Sequence, residues 1–250
     1  MDIKDFFETH SEVAVAFSGG VDSAVLLLLA EKYAERVKAY YIKTQFQPQF
    51  ELDDAIETAR KLNAEFEIIS ADILADNNVA KNPANRCYYC KKSIFGTIIG
   101  HAKRDGFKTV LDGTNASDDI SDRPGFAALE ELEVLSPLKL YGYTKAEIRR
   151  IAAKNALSVA DKPSYACLAT RIPTGTAISA ELLSKTEAAE SLLRKAGFKN
   201  FRIRYRNGAG ELELGKADYG LYCKNKEQVS ALLAPYYDSV WLSPKERKDD

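Results

Sequence analysis

The sequence predicts an α/β protein, with a parallel sheet covered by helices on both faces and a small α+β domain after it. Strand and helix patterns alternate over the first part of the chain, and a Gly-Gly turn joins the first apolar strand to a long apolar helix. A loop rich in Pro and Gly then precedes a second series of elements. Alternation of this kind implies crossover connections, which place helices on both sides of a parallel sheet.

The elements of the first part follow from short apolar runs separated by longer helical patterns. The predicted strands are 13–17, 37–42, 66–70 and 109–112, and the predicted helices are 21–34, 51–62 and 91–104. Residues 135–138 are predicted as a last short strand. A helix over 143–152 follows, in which Thr144 is the expected N-cap and Glu147 stands at the capping-box position.

The loop around Cys167 and Gly175 predicts a domain boundary, which we place after residue 172. Residues 1–172 are therefore expected to form the larger domain and residues 173–250 the smaller one. The predicted elements of the smaller domain are helix 180–196, strands 201–205 and 211–215, helix 226–233 and strand 239–242.

The composition narrows the classes of function. The 250 residues carry a formal net charge of −1, which gives no support to a nucleic-acid partner. We see no leader and no apolar run of membrane-spanning length, so we expect a cytoplasmic protein without a membrane partner. Four cysteines in such a chain do not suggest a disulfide framework, and with only two histidines we expect neither a His-rich zinc site nor a His-based nucleophilic triad.

The turn between the first strand and the first long helix carries the strongest functional signal. It consists of Ser18, Gly19, Gly20, Val21, Asp22 and Ser23. A helix N-terminus presents unpaired N–H groups and the positive end of the peptide dipoles, while glycines let the backbone approach an anion. The spacing matches neither a Walker A loop nor a dinucleotide fingerprint. A turn without a ligand is the alternative interpretation.

Two further segments follow predicted strands and are expected at the same edge of the sheet. They contain Thr44, after the second strand, and Gly113 with Thr114, after the fourth. Ligands of parallel sheets bind outside the carboxyl ends of the strands. We therefore expect Thr44 near an adenine, and Gly113 and Thr114 near a ribose or phosphates.

The turn sequence resembles the PP-loop of the ATP pyrophosphatase superfamily. That resemblance implies the adenine nucleotide alpha hydrolase-like fold and cleavage of ATP to AMP and pyrophosphate, which activates a carbonyl or carboxyl oxygen as an adenylate. It also implies that residues 18–23 bind ATP and Mg²⁺, with Asp22 and Ser23 as catalytic residues.

The cysteines form the second signal. Cys87 and Cys90 are two residues apart, Cys167 lies in its own loop, and Cys223 stands alone. A redox pair is disfavoured because the Cys-x-x-Cys pair does not follow the first strand, and a zinc site has no obvious fourth ligand. Three thiolates suit a [4Fe-4S] cluster with one open iron. The alternative is that these three cysteines are small buried residues, and we interpret Cys223 as one.

Five segments of the chain resemble the LarE family, the PP-loop sulfur transferases that make the nickel-pincer nucleotide cofactor of lactate racemase. They are residues 82–91, 112–119, 122–125, 135–138 and 162–173. The resemblance covers nearly the whole chain, and the block around Cys167 is the most specific of these segments.

The resemblance implies a substrate and a reaction. ATP would adenylate the carboxylates of pyridinium-3,5-biscarboxylic acid mononucleotide, and sulfur would then displace AMP to give thiocarboxylates. In one class of the family a single cysteine, matching Cys167, is consumed as sulfur donor. In the other, three cysteines matching Cys87, Cys90 and Cys167 hold a [4Fe-4S] cluster that passes on a sulfide, and this chain carries all three.

Further positions are implied as candidates. Lys91, Arg123 and Arg171 are candidates for phosphate contacts or for ordinary surface charge, and Arg204 and Glu213 for substrate or metal contacts in the smaller domain. That domain is expected to serve substrate binding or oligomerisation. The partners implied are the small-molecule nucleotide, sulfide or another sulfur donor, and other copies of the chain in a homo-oligomer, a hexamer by analogy.

Two other functions remain open on the sequence. A cluster-dependent PP-loop tRNA thiolase would use the same ATP and cysteine chemistry on a base, but is expected to carry a basic RNA surface. A non-catalytic adenine-nucleotide-binding module with structural zinc would release no pyrophosphate.

Overall fold

The computed structural model describes residues 3–118 and 124–247. The chain forms two compact units. The first unit comprises Met1–Ile73 and Asn85–Lys162, and the second comprises Leu74–Ala84 and Pro163–Asp250. The second unit therefore includes a short segment from the middle of the chain, which the predicted division after residue 172 does not contain.

The helices and strands are as follows. The helices are α1 (Ile3–Thr9), α2 (Val21–Tyr33), α3 (Gln49–Lys61), α4 (Asn77–Ala80), α5 (Arg86–Arg104), α6 (Gly125–Glu131), α7 (Pro137–Leu140), α8 (Lys145–Lys154), α9 (Ala180–Lys195), α10 (Lys216–Lys224) and α11 (Lys226–Leu233). The strands are β1 (Glu12–Ala16), β2 (Arg36–Lys43), β3 (Phe66–Ser70), β4 (Thr109–Leu111), β5 (Phe201–Arg206), β6 (Ala209–Leu214) and β7 (Val240–Leu242). Short 3-10 turns cover Ile73–Ala75 and Leu168–Arg171.

The first unit contains the parallel sheet, in the order β3-β2-β1-β4. Both faces of β1 are covered, because Val13 and Val15 pack in one apolar cluster while Ala14 packs in another. The helix α2 is buried over most of its length, as expected for a helix held against a fully covered sheet. The predicted parallel α/β fold is confirmed.

The strand predicted at residues 135–138 is wrong for most of its length. Only Leu135 bridges to the sheet, in parallel with Leu111, and the helix α7 begins at Pro137. Proline has no N–H to donate to a strand ladder, whereas its fixed φ suits the first turn of a helix.

The second unit contains the small sheet, in the order β5-β6-β7, with β5 and β6 antiparallel and β6 and β7 parallel. One face of this sheet packs into an apolar core with α9 and α11, through residues such as Ile203, Leu212 and Leu193. Among the described residues, none of the helices is both long and apolar enough to cross a membrane.

Candidate active site

The loop between β1 and α2 depends on its glycines. Gly19 adopts a left-handed φ of +75°, and a Cβ there would lie 2.8 Å from the Cβ of Ala55 on α3. Gly20 is the N-cap of α2 and supplies no side-chain cap. The N-terminus of α2 is therefore approached closely by α3 on one side, and its first N–H groups receive no bond from an N-cap side chain.

The serines of this loop close it on itself. The Ser18 N–H donates to Ser23 Oγ at 3.2 Å, and the Ser23 hydroxyl donates to the Gly20 carbonyl at 3.1 Å. The Ser18 and Ser23 hydroxyl oxygens are 3.1 Å apart. These bonds span the whole turn, so they fix its backbone conformation.

The loop that follows β4 packs directly on the first turn of α2. A Cβ on Gly113 would lie 2.9 Å from the Ser23 nitrogen, so only glycine fits without a backbone shift. The Asn115 amide donates to Asp22 Oδ1 at 3.2 Å. The structure thus brings the predicted residues of the two loops together at the carboxyl edge of the sheet.

Asp22 also meets a cation. The Lys145 ammonium lies 2.6 Å from Asp22 Oδ2, and both side chains are about three-quarters buried. Lys145 is the first residue of α8, whose predicted capping box between Thr144 and Glu147 is confirmed. Its backbone N–H donates to Ser117 Oγ at 3.0 Å, which ties α8 to the loop after β4.

The other predicted nucleotide contacts lie at the same edge. Thr44 is buried after β2, and both its N–H and its hydroxyl donate to Gln47 Oε1. The Thr114 hydroxyl donates to buried Asp112 at 2.5 Å. Arg123 lies outside the described residues. Contact of these residues with a nucleotide stays a prediction.

Replacing Gly113 with alanine is expected to raise the dissociation constant of a non-hydrolysable ATP analogue at least tenfold, because the new Cβ would displace the first turn of α2. Calorimetric titration measures it. Gly96 on α5 is the matched control, since a Cβ there meets nothing within 4 Å. Gly96→Ala should leave the affinity unchanged. Equal affinities for both variants would contradict this placement of the site.

Cys87 and Cys90 lie on the first turn of α5, which begins at Arg86, five positions before the predicted start at Lys91. Cys87 is exposed and Cys90 is half-buried. Residues three apart share one helix face. The guanidinium of buried Arg86 donates to Cys87 Sγ at 3.9 Å, so a cation adjoins this pair.

Cys167 belongs to the second unit, where it is half-buried and forms the N-cap of the 3-10 turn Leu168–Arg171. Its carbonyl accepts bonds from the Thr170 N–H at 3.0 Å and from the Thr170 hydroxyl at 2.8 Å. The turn after Cys167 is therefore held by local hydrogen bonds.

A buried ion pair supports this turn. Arg171 is fully buried, and its guanidinium contacts Glu190 on α9 through two bonds of 2.8 and 3.0 Å. Burial disfavours the charged guanidinium, but the attraction of Glu190 outweighs that penalty and raises the pKa of Arg171. Arg171 also donates to the Ala166 carbonyl at 2.7 Å. These contacts give Arg171 a structural role, and its contact with phosphate stays a prediction.

Glu190 binds two further groups. The Tyr165 hydroxyl donates to it at 2.6 Å and the Ile203 N–H at 3.1 Å. Burial, together with the adjacent Glu190 carboxylate, raises the pKa of Tyr165. Glu190 thereby connects α9, β5 and the segment on both sides of Cys167.

The face of the small sheet opposite its core is charged. Arg204 pairs with Glu213 at 2.5 Å and Arg206 pairs with Glu211 at 2.7 Å. Arg204 also donates to the Thr170 carbonyl at 2.9 Å, so this face is joined to the turn after Cys167.

Arg202 on the same strand is in a different environment. Its Nε is buried without a hydrogen-bond partner among the described residues. Burial and the nearby charges of Arg247, Arg171 and Arg204 lower the pKa of Arg202 to about 10. Positive charge is therefore in excess around Arg202.

In the part of the chain that the structure describes, no group of three or more His, Cys, Asp or Glu residues lies together as a metal site. Cys223, which we interpreted as a small buried residue, is exposed on α10. That interpretation is wrong because only Asp218 of this helix is buried.

Known proteins are similar to this chain over much of its length. The family model described as asparagine synthase matches residues 4–120. An uncharacterized protein of Methanocaldococcus jannaschii is 31% identical, over 94% of this chain and 89% of its own length. The pyridinium-3,5-bisthiocarboxylic acid mononucleotide synthase of Lactiplantibacillus plantarum is 30% identical, over 88% of this chain and 81% of its own length. The chain belongs to the LarE family.

Similarity outside the LarE family is weaker. The tRNA-specific 2-thiouridylase MnmA of Thermotoga sp. (strain RQ2) is 28% identical, over 60% of this chain and 54% of its own length. The proteins of Methanocaldococcus jannaschii and Lactiplantibacillus plantarum cover far more of both chains.

Lys145 is absent from the residues that the sequence predicts for this edge of the sheet. Lys145 was interpreted only as part of a capped helix, although its helix follows a segment that pairs with the edge of the sheet. A cation at the start of such a helix is the signal that could have identified it, because helix N-termini after strand ends face the same edge as the PP-loop.

Proposed function

We propose that the protein is an ATP-dependent sulfur transferase that converts the carboxylates of pyridinium-3,5-biscarboxylic acid mononucleotide into thiocarboxylates. The observation that carries the proposal is the PP-loop, with Asp22 between Asn115 and Lys145, in a chain that belongs to the LarE family. Residues 18–23, Thr44, Gly113, Thr114 and Arg123 are the proposed nucleotide-binding residues.

In the first step a substrate carboxylate oxygen bonds to the α-phosphorus of ATP, the bond to the β-phosphate oxygen breaks, and pyrophosphate leaves. Negative charge grows on the leaving group, so N–H groups at the start of α2 and the Lys145 ammonium stabilise it. The Asp22 carboxylate is a suitable oxygen ligand for Mg²⁺, which supplies further positive charge when bound. Lys145 neutralises Asp22 in the absence of nucleotide.

In the second step sulfide replaces AMP. The hydrosulfide sulfur bonds to the carboxyl carbon, the C–O bond to the α-phosphate breaks, and AMP leaves with the oxygen. A proton is released, the carboxyl carbon becomes a thiocarboxylate, and nothing is oxidised or reduced. A second round at the other carboxylate gives the bisthiocarboxylate.

The cysteines provide the proposed place for the sulfide. Cys87 and Cys90 share one turn of α5, and their thiols are of the type and spacing that iron–sulfur clusters use. With Cys167 as third ligand, a [4Fe-4S] cluster would keep one iron open for sulfide.

The other candidate sulfur source is Cys167 itself. Its thiolate would bond to the adenylated carbon and release AMP. Loss of the Cα proton would then break the Cβ–S bond, leaving the sulfur on the substrate and dehydroalanine in the chain.

Intact mass spectrometry separates the two sources. After turnover with MgATP, substrate and sulfide, cluster-loaded protein is expected to keep its mass through many cycles, because a ligand thiolate keeps its Cβ–S bond. Cys87→Ala should then stop multiple turnover, and Cys223→Ala serves as the control. Loss of the mass of H₂S at Cys167, with turnover indifferent to Cys87→Ala, would refute the cluster.

The second unit is proposed to bind the substrate phosphate. The excess positive charge at Arg202, together with Arg204, makes this face of the sheet attractive to an anion, since phosphate would relieve the repulsion among the arginines.

The test of the proposed function uses purified protein with MgATP and sulfide. Pyrophosphate release that depends on the pyridinium biscarboxylate, with a thiocarboxylate product by mass spectrometry, is expected. Because the chain is also similar to MnmA, tRNA is tested as an alternative substrate in the same assay. Sulfur incorporated into tRNA, with no product from the mononucleotide, would replace the proposal by a tRNA thiolase.

A further inference from the structure

Asn82 is a buried polar residue in an unusual backbone conformation. It is 0% exposed and has φ = +54°, in the left-handed region that Asn tolerates better than most residues. Its side-chain amide donates to the Pro173 carbonyl at 2.8 Å and to the Thr176 carbonyl at 3.1 Å. One side chain thus joins two sequence segments some ninety residues apart.

The backbone around Asn82 makes the same connection. The Gly175 N–H donates to the Asn82 carbonyl at 2.8 Å, and the Ile178 N–H donates to the Ala80 carbonyl at 2.8 Å. We call residues 80–82 with residues 172–178 the Asn82 clamp. All of its residues belong to the second unit.

The clamp holds the distal end of the segment that carries Cys167. The 3-10 turn Leu168–Arg171 starts directly after Cys167, and the clamped residues start at Ile172. The part of this segment nearer to Cys167 is held by the ion pair between Arg171 and Glu190. Pro173 and Gly175 lie in neither a helix nor a strand, so the course of the chain there depends on the clamp.

We propose that Asn82 is a positioning residue that fixes the Cys167 segment for the sulfur-transfer step. This inference rests on the proposed function. When the sulfur is misplaced, the acyl adenylate reacts with water instead. Hydrolysis is avoided only when the sulfur nucleophile is held next to the acyl carbon. Loss of the clamp should therefore uncouple AMP formation from thiocarboxylate formation, while adenylation by the first unit continues.

The variant Asn82→Gly tests the proposal, because glycine adopts the left-handed conformation but has no amide to donate. Asn207→Gly is the matched control. Asn207 also has a positive φ, of +49°, in the same unit, but it is exposed in the turn between β5 and β6. The measured quantity is AMP formed per thiocarboxylate formed. A rise of about tenfold or more is expected for Asn82→Gly and none for Asn207→Gly.

A second readout is independent of activity. Hydrogen exchange of the Gly175 and Ile178 amides should accelerate in Asn82→Gly but not in Asn207→Gly. Accelerated exchange with an unchanged AMP-to-product ratio would overturn the positioning role while confirming the clamp. If the wild-type chain makes no thiocarboxylate, the proposed function fails, and a positioning role for sulfur transfer fails with it.

Asn82→Asp provides a second variant of nearly equal size, in which the donating amide becomes an acceptor facing carbonyl oxygens. It should uncouple the reaction in the same way as Asn82→Gly. If neither variant folds, Asn82 is required for folding rather than for positioning, and the proposal is overturned.

Discussion

Asp22→Asn is expected to lower the rate of AMP formation at saturating substrate by about 10²–10³-fold, because the carboxylate that would hold Mg²⁺ against the developing negative charge is lost. The asparagine oxygen can still accept the bond from Asn115. The fold of the loop should therefore persist, and only the carboxylate charge is lost. Pyrophosphate release in a coupled assay measures the effect.

Lys145 complicates this variant, because Asp22→Asn leaves its ammonium without the carboxylate that now lies 2.6 Å away. The double variant with Lys145→Met removes that unpaired charge. It should recover any stability lost in Asp22→Asn but not the turnover. Asp161→Asn on an exposed position is the control and should be fully active. Normal pyrophosphate release in Asp22→Asn would exclude the PP-loop as the adenylation site.

Glu190→Ala is expected to lower the free energy of unfolding of the second unit by about 3–5 kcal/mol, the range measured when one partner of a buried ion pair is removed. It would leave the buried guanidinium of Arg171 uncompensated. It would also deprive the Tyr165 hydroxyl and the Ile203 N–H of their acceptor. Urea unfolding followed by the fluorescence of Trp241, the single tryptophan of the chain, reports on this unit.

Glu181→Ala is the matched control for Glu190→Ala. Glu181 lies on the same helix but is exposed, so its removal should change the free energy of unfolding by no more than about 0.5 kcal/mol. A loss below about 1 kcal/mol in Glu190→Ala would contradict the buried pair. In that event Arg171 would be available for the phosphate contact predicted from the sequence.

Most of the parallel sheet could be predicted because its signals are local. The apolar run around Val13 to Val15, the Gly-Gly turn and the capping box at Thr144 each depend on neighbours within a few residues. The helix α10 was missed, because its Tyr, Gly and Cys residues give no apolar periodicity. The predicted strand 135–138 includes Pro137 and Leu138, which the structure places in α7. A short apolar run does not by itself distinguish a strand from a helix, and Pro137 is the residue that favours the helix.

The sequence alone determined the PP-loop, the position of Thr44, Gly113 and Thr114 after strand ends, and the resemblance to the LarE family, because these depend on residue type and spacing. Only the tertiary structure placed Lys145 on Asp22, closed Arg171 against Glu190 and joined Asn82 to residues 172–178. Each of these contacts joins residues that lie far apart in the chain. The neighbouring sequence of a lysine, an arginine or an asparagine does not show whether its side chain is exposed or forms a buried pair. The tertiary structure therefore decides which contacts each of these side chains makes.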